Sequence, residues 1–146
     1  MKHVWSVLCQ KSSIDFENNL VSLFECIEEV NLVFNNTKNA TDEKIIIPVD
    51  WQLVSYWIVD ENEKEKFLNL KVEFIDPNGN CLNNHEYKMD IKEGMKRLRG
   101  RMTINGFQVT KSGRYFCKIS RMIENNFLLL SELPIDININ YNLSNT

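Results

Sequence analysis

The chain has 146 residues, of which 43% are apolar and 25% are charged, and its formal net charge is −3 at pH 7. A chain of this length can bury a core of its own, so we expect one globular domain over residues 1–146. The weakly negative charge gives no general attraction to nucleic acid or to an anionic membrane surface, so neither is an expected partner. No apolar run approaches the roughly 20 residues that span a bilayer.

The amino terminus and the cysteines bear on where the protein works. Residues 1–9 resemble a short signal sequence, but their apolar stretch is short and Gln10 and Lys11 follow at once. Four cysteines are widely spaced and form no C-x-x-C pair: Cys9, Cys26, Cys81 and Cys117. Zinc ribbons and small disulfide scaffolds need closer or denser cysteines. We therefore expect a cytoplasmic protein with reduced, buried or half-buried thiols and without a metal or cofactor.

The amino-terminal third contains one clear strand and one ambiguous segment. Residues 4–10 predict a first strand. Residues 13–34 fit a helix, with an apolar stripe from Phe16 to Phe34, about as well as they fit strands, so periodicity alone leaves both open. Residues 35–44 are polar and lack large apolar side chains, which is typical of a loop.

The next part of the chain is apolar on more than one side. Pro48 limits residues 45–47 to an edge or a strand entry, because proline cannot donate to a sheet ladder. Residues 52–59 are apolar on both faces. That pattern indicates either a central strand covered on two sides or a strand whose outer face is a contact surface. Residues 60–66 are a charged connection to the next strand.

The clearest period of two lies in residues 67–75. One face of this segment carries only large apolar side chains: Leu68, Leu70, Val72 and Phe74. Successive side chains of a strand point to opposite faces, so this segment predicts one face in a core and the other in water. The following Asp76-Pro77-Asn78-Gly79 predicts a turn, in which proline fixes φ and glycine takes a positive φ.

The remaining segments predict further short strands separated by turns. The strands cover a short stretch near Cys81 and residues 86–92, 98–104, 114–120, 127–131 and 133–141. The turns lie at Glu93-Gly94, Asn105-Gly106, 111–113 and 124–126, and the polar tail 142–146 is expected to fray. Short strands and turns at this spacing are typical of an all-β sandwich or barrel. We predict an antiparallel β-sandwich of about eight strands.

Three segments of this layout, residues 20–24, 72–79 and 112–115, resemble a family of small uncharacterised bacterial proteins. Members of that family are predicted to form immunoglobulin-like or C2-like sandwiches. The resemblance implies that residues 20–24 form a strand, which favours strands over a helix in the ambiguous segment. It also implies a corner after Gly113, at which Tyr115 packs its ring and ties its hydroxyl to nearby backbone. The family has no established activity, so the resemblance implies a fold and leaves the function open.

One turn has part of the spacing of a calcium loop. Asp76, Asn78 and Asn80 have D-x-N-x-N spacing, but Tyr87 stands where an EF-hand loop needs a glutamate. A second carboxylate, Asp60, precedes the strand that Asp76 follows, so the two are expected at opposite ends of it. We interpret the motif as a structural turn and predict no metal site.

The main basic cluster lies in residues 96–103. If this segment is a strand, Arg97, Arg99 and Arg101 share one face. They would bind an anionic or carboxylate-rich partner, or else form a solvated face paired with acidic side chains on the next strand. We expect Trp51 to lie partly exposed at the end of a sheet, where tryptophan suits a protein interface.

The sequence carries no signature of catalysis. It contains two histidines, His3 and His85, and it lacks both G-x-S-x-G and a glycine-rich phosphate loop. A cysteine–histidine nucleophile pair, for example Cys81 with His85, is left open. We therefore predict a non-catalytic module that binds a protein, possible self-association included, through Arg97, Arg99, Arg101 and Trp51. A carbohydrate- or calcium-binding module is the alternative, and an enzyme is the third class.

Overall fold

The chain forms nine strands and no helix in a computed structural model that describes residues 1–35 and 44–142. The strands are β1 (Lys2–Asp15), β2 (Leu20–Cys26), β3 (Glu29–Phe34), β4 (Ile45–Ile58), β5 (Phe67–Ile75), β6 (Cys81–Asp90), β7 (Arg97–Val109), β8 (Gly113–Ile123) and β9 (Asn126–Tyr141). The described residues contain no helix that could cross a membrane. Most of the predicted loop at 35–44 and of the predicted frayed tail at 142–146 lies outside the described residues.

The strands form two sheets. Sheet A has the order β2-β1-β4-β7, and sheet B has the order β3-β9-β8-β5-β6. The all-β prediction is confirmed, and the ambiguous segment 13–34 consists of strands and their connections rather than a helix. The expectation of purely antiparallel pairing is wrong at one edge, because β3 pairs with β9 in parallel. The short connection from β2 carries the chain from sheet A directly to the edge of sheet B.

A common core joins the two sheets. On β5 the predicted apolar face is fully buried, and it meets buried side chains of β4, β7, β8 and β9. At the centre, the ring of Phe107 lies 5.1 Å from that of Trp51 in sheet A. It also lies 5.3 Å from Phe74 and 5.7 Å from Tyr115 in sheet B. Such aromatic contacts add to the hydrophobic stabilisation that burial provides.

Tyr115 forms the expected corner. Its side chain is buried, and its hydroxyl donates to the backbone oxygen of Lys111 at 2.8 Å. The hydroxyl oxygen of Tyr115 also accepts from the backbone nitrogens of Thr110, at 2.9 Å, and Lys111, at 3.2 Å. The connection between β7 and β8 is therefore fixed by one side chain.

Two interruptions that the sequence predicted between strands are absent from the structure. Asn105-Gly106 is not a turn but part of β7, where Gly106 has φ 82° opposite a β-bulge at Pro48-Val49 of β4. Proline is tolerated there because a bulge releases its residue from the ladder. The separate strands predicted at 127–131 and 133–141 are one strand, β9, which pairs with β8 across a register shift.

The hairpin of β1 and β2 folds back over sheet A. β1 pairs with β4 as far as Cys9, opposite Gln52, and beyond that point it pairs with β2 alone. If the hairpin continued straight beyond Cys9, its tip would lie far from Arg99 of β7. Instead, Ser12 donates its backbone N–H to Gln52 Oε1 at 2.8 Å, and Arg99 donates to Asn19 in the hairpin tip. The hairpin therefore returns across the outer face of sheet A, the face that points away from the core.

Candidate functional site

The three predicted arginines share the outer face of sheet A. Arg97, Arg99 and Arg101 of β7 alternate with side chains that point inward, so the predicted common face is confirmed. β7 is an edge strand, and its neighbour β4 places no acidic residue opposite them. Their direct partners are Ile58, Tyr56 and Val54, respectively. The predicted pairing of this row with acids on the next strand is therefore wrong, whereas a solvated face stays a prediction beside the partner surface.

Aromatic and apolar side chains continue this face toward β1. Tyr56 lies opposite Trp5, with ring centroids 5.7 Å apart, and Ile58 lies opposite Lys2. We call the following six residues the outer patch: Lys2, Trp5, Tyr56, Ile58, Arg97 and Arg101. Both arginines and Lys2 are exposed, and Ile58 is partly exposed. None of the ion pairs found in residues 1–35 and 44–142 involves the three cations.

Arg99 is held by the hairpin and is only half-exposed. Its Nη1 donates to Asn19 Oδ1 at 2.7 Å, and its Nη2 donates to the backbone oxygen of Asn19 at 2.8 Å. Asn19 has φ 58°, a left-handed conformation that asparagine tolerates better than most residues. The guanidinium also lies 6.0 Å from the centre of the Tyr56 ring. Of the predicted row, only Arg97 and Arg101 are thus free to meet a partner without competition from the hairpin.

The predicted exposure of Trp51 is wrong. Its side chain is 5% exposed and packs against Phe107 in the common core. The bulge at Pro48-Val49 shifts the register of β4 just before Trp51, which lies on the inward-facing side with Leu53. Trp5 is the tryptophan on the outer face, where Tyr56 of β4 lies between it and the arginine row of β7. The pairing of Trp5 with Tyr56 would have shown that Trp5 lies on the same face as the arginines. The sequence alone does not give this pairing of β1 with β4.

A concave feature separates the free edges of β6 and β7. At one end the strands touch, because a β-carbon added to Gly100 would lie 2.7 Å from Met89 Sδ. Toward the other end they diverge around a cleft of about 300 Å³. Phe74, Ile104 and Phe107 contribute to its apolar lining. Polar side chains also line it: Asn83, His85, Thr103, Asn105 and Gln108.

The cysteine–histidine pair that the sequence left open is not assembled in this cleft. His85 lines the cleft, whereas Cys81 is exposed and lies 3.4 Å from the backbone oxygen of Asn83. Cys26 is also exposed, so the expectation that every thiol is buried or half-buried is wrong for these two residues. Burial raises the pKa of the Cys117 thiol to about 12, which leaves it a protonated core side chain near neutral pH.

The calcium-like motif forms a hydrogen-bonded turn. Asp76 Oδ1 accepts from the backbone nitrogens of Asn78 and Asn80, and its Oδ2 accepts from the Asn80 side chain at 3.1 Å. Burial acts to raise the pKa of Asp76, but these hydrogen bonds favour its charged form and the net pKa is lowered. Both carboxylate oxygens therefore already have donors within the turn.

Comparison with known proteins gives no family for this chain. Neither the protein-family models nor the curated proteins contain a match. The outer patch and the cleft are therefore the two candidate sites.

Proposed function

We propose that this protein is a non-catalytic interaction module that binds an acidic protein segment through the outer patch. The observation that carries the proposal is that two exposed guanidiniums, Arg97 and Arg101, share one sheet face with Tyr56 on the neighbouring strand and Trp5 on the strand beyond it. Arginine forms paired hydrogen bonds to carboxylates, and arginine, tyrosine and tryptophan are enriched where interfaces gain most of their binding energy.

The partly exposed apolar surface of the patch suits a protein better than a free anion. Ile58 is 42% exposed and lies directly opposite Arg97, while Lys2 lies on its other side. An acidic segment with an apolar side chain would satisfy the cations and cover Ile58 together. A second copy of this chain is one form that such a partner can take, because the protein carries 20 acidic residues.

The test is a charge reversal at the two exposed arginines, Arg97→Glu with Arg101→Glu. Binding is measured by fluorescence anisotropy with a labelled glutamate-rich peptide that contains leucine, over a series of salt concentrations. We expect at least about tenfold weaker binding, equivalent to about 1.4 kcal/mol, and a flatter salt dependence. Sedimentation at rising protein concentration tests self-association with the same variants.

The matched control is Lys64→Glu with Lys66→Glu. It changes the net charge by the same amount at two exposed lysines in the connection before β5. If both double variants weakened peptide binding equally, the effect would come from net charge alone. The outer patch would then not be the binding site. A melting temperature that stays at the wild-type value in both variants separates lost binding from lost folding.

We also propose an immunoglobulin-like or C2-like sandwich for the arrangement of the two sheets, related to the small bacterial proteins that the sequence resembles. The common core and the Tyr115 corner support this type, since a tyrosine corner of this kind recurs in such sandwiches. A cytoplasmic location stays a proposal, and the four unbridged cysteines support it.

The cleft between β6 and β7 favours a second candidate, a small neutral ligand such as a carbohydrate. Its apolar lining and its amide side chains would pack against a sugar ring and bond its hydroxyls. A glycan array followed by calorimetry tests it. With any sugar that binds, Asn83→Ala should weaken binding and Asn84→Ala should not, because Asn83 lines the cleft and its neighbour does not. An array without binders, or equal effects of both variants, would contradict it.

A further inference from the structure

Two cysteines face each other across the base of the folded-back hairpin. Cys9 on β1 is the direct partner of Cys26 on β2. Side chains at directly opposite positions of an antiparallel pair project to the same side of the sheet. The two thiols are therefore neighbours although 16 residues separate them in the sequence.

The hydrogen-bond pattern identifies the type of pair. The backbone nitrogen of Ile27 donates to the oxygen of Leu8 at 2.8 Å. Leu8 and Ile27 are therefore at a hydrogen-bonded site, and the adjacent Cys9–Cys26 pair occupies a non-hydrogen-bonded site. At such sites the α-carbons are typically about 4.5 Å apart and the side chains are closest. That separation lies within the range of about 4.4 to 6.8 Å that a disulfide requires.

The two thiols differ in access. Cys26 is exposed, whereas Cys9 is fully buried. Burial raises the pKa of the Cys9 thiol, and the neighbouring Cys26 adds to this effect. A reagent in solution therefore meets Cys26 first, and Cys9 is the thiol placed to react second.

We propose that Cys9 and Cys26 are a reversible redox pair that closes into a cross-strand disulfide when the protein meets a low-molecular-weight disulfide such as oxidised glutathione. The Cys26 sulfur attacks one glutathione sulfur, loses its proton and releases one glutathione thiol. The Cys9 sulfur then attacks the Cys26 sulfur, loses its proton and releases the second. The protein loses two electrons and two protons, and one glutathione disulfide becomes two thiols.

The position of the pair gives the bridge a mechanical role. Cys9 is the last residue of β1 that pairs with β4. The bridge therefore forms where the hairpin separates from β4. Glu25, beside Cys26, has φ 52°, and in β1 the consecutive buried residues Leu8 and Cys9 are followed by two consecutive exposed residues, Gln10 and Lys11. We expect the bridge to fix β1 to β2 at this point. Beyond it, the hairpin crosses the outer face of sheet A.

The experiment treats the folded chain with oxidised glutathione, blocks the remaining thiols and then cleaves with chymotrypsin. Phe16 is 93% exposed and lies between the two cysteines, so a cut after it separates their fragments unless a disulfide joins them. We expect Cys9 and Cys26 of the wild type to escape the thiol-blocking reagent and their fragments to stay joined until dithiothreitol separates them. Cys26→Ser should give no joined fragments, and Cys9→Ser should keep glutathione on Cys26.

Cys81→Ser is the matched control, because Cys81 is equally free and exposed but lies opposite Ile75. This variant should still give joined fragments. Stable glutathione on Cys26 of the folded wild type would overturn the proposal, since it would show that Cys9 cannot resolve it. Loss of joined fragments in Cys81→Ser would also overturn it. If Cys9→Ser does not fold, Cys9→Ala keeps the buried site apolar and serves the same purpose.

Discussion

The β5–β8 pair in sheet B and the β1–β2 hairpin beyond Cys9 are both antiparallel pairs, but they are held in different ways. Every second residue of β5 from Leu68 to Phe74 is buried in the core between the sheets. In the hairpin, by contrast, Ser12 is the one buried residue, and Phe16, Leu20 and Phe24 are 93%, 63% and 50% exposed. The first pair is stabilised by full burial, whereas the second has only half-buried apolar side chains, such as Val21 and Leu23, and a few polar contacts with β4 and β7.

This difference indicates that the two regions open at different free energies. Segments with few buried apolar contacts open locally at a cost well below that of global unfolding, while core strands open only with the whole domain. The hairpin also carries the contact that holds Arg99, next to the outer patch. A region of low local stability therefore adjoins the surface that we propose for binding.

The largest expected effect contrasts two phenylalanines. Phe107→Ala removes the ring that contacts both sheets and should lower the free energy of unfolding by about 3 to 5 kcal/mol. Phe16→Ala removes an exposed ring at the hairpin tip and should change it by no more than about 0.5 kcal/mol. Urea unfolding followed by tryptophan fluorescence measures both. Similar losses would show that the hairpin is part of the cooperative core.

The strands on the core side of this contrast could be predicted from sequence because their pattern is local. The period of two in β5 indicates a strand with one face in a core. Its apolar face needs to be buried, and its opposite face carries Lys71 and Glu73 toward water. The Asp76-Pro77-Asn78-Gly79 turn was predicted for the same reason, since its residues supply the required φ values and hydrogen bonds themselves. The common face of Arg97, Arg99 and Arg101 also followed from period two alone.

An intermediate effect is expected at the Tyr115 corner. Tyr115→Phe keeps the buried ring but removes the hydroxyl that bonds the backbone of Thr110 and Lys111. Because these backbone groups lose their partner, the free energy of unfolding, measured with urea, should fall by about 1 to 2 kcal/mol. Tyr141→Phe is the control, because Tyr141 is partly exposed on the last strand and should change stability little. An unchanged stability in Tyr115→Phe would mean that water replaces the hydroxyl without cost.

The features that sequence reasoning missed depend on pairing between distant segments. Asn105-Gly106 has the composition of a turn, and only its partner strand β4 shows that it lies opposite a bulge. The burial of Trp51 follows from that same bulge. The return of the hairpin to Arg99 joins residues 80 positions apart, and no local pattern around Asn19 indicates it. The common face of the three arginines was therefore predicted and the exposure of Trp51 was wrong, while the role of these arginines in binding stays a prediction.

The smallest expected effect tests whether Arg99 holds the hairpin closed. Arg99→Ala removes both donors to Asn19, so the hairpin should open more often while the core stays intact. We expect a global stability change below about 1 kcal/mol, because the contact is exposed. A local change of about 1 kcal/mol raises the open population about fivefold. Limited chymotrypsin cleavage after Phe16, under reducing conditions, should accelerate by that factor.

Arg97→Ala is the comparison that gives this result its meaning. Arg97 lies on the same strand and the same face as Arg99, but no hydrogen bond joins it to the hairpin within the described part of the chain. Cleavage after Phe16 should therefore keep its wild-type rate in Arg97→Ala. Equal acceleration in both variants would mean that the hairpin responds to the charge of the face, and that the pair of hydrogen bonds from Arg99 to Asn19 does not control its opening.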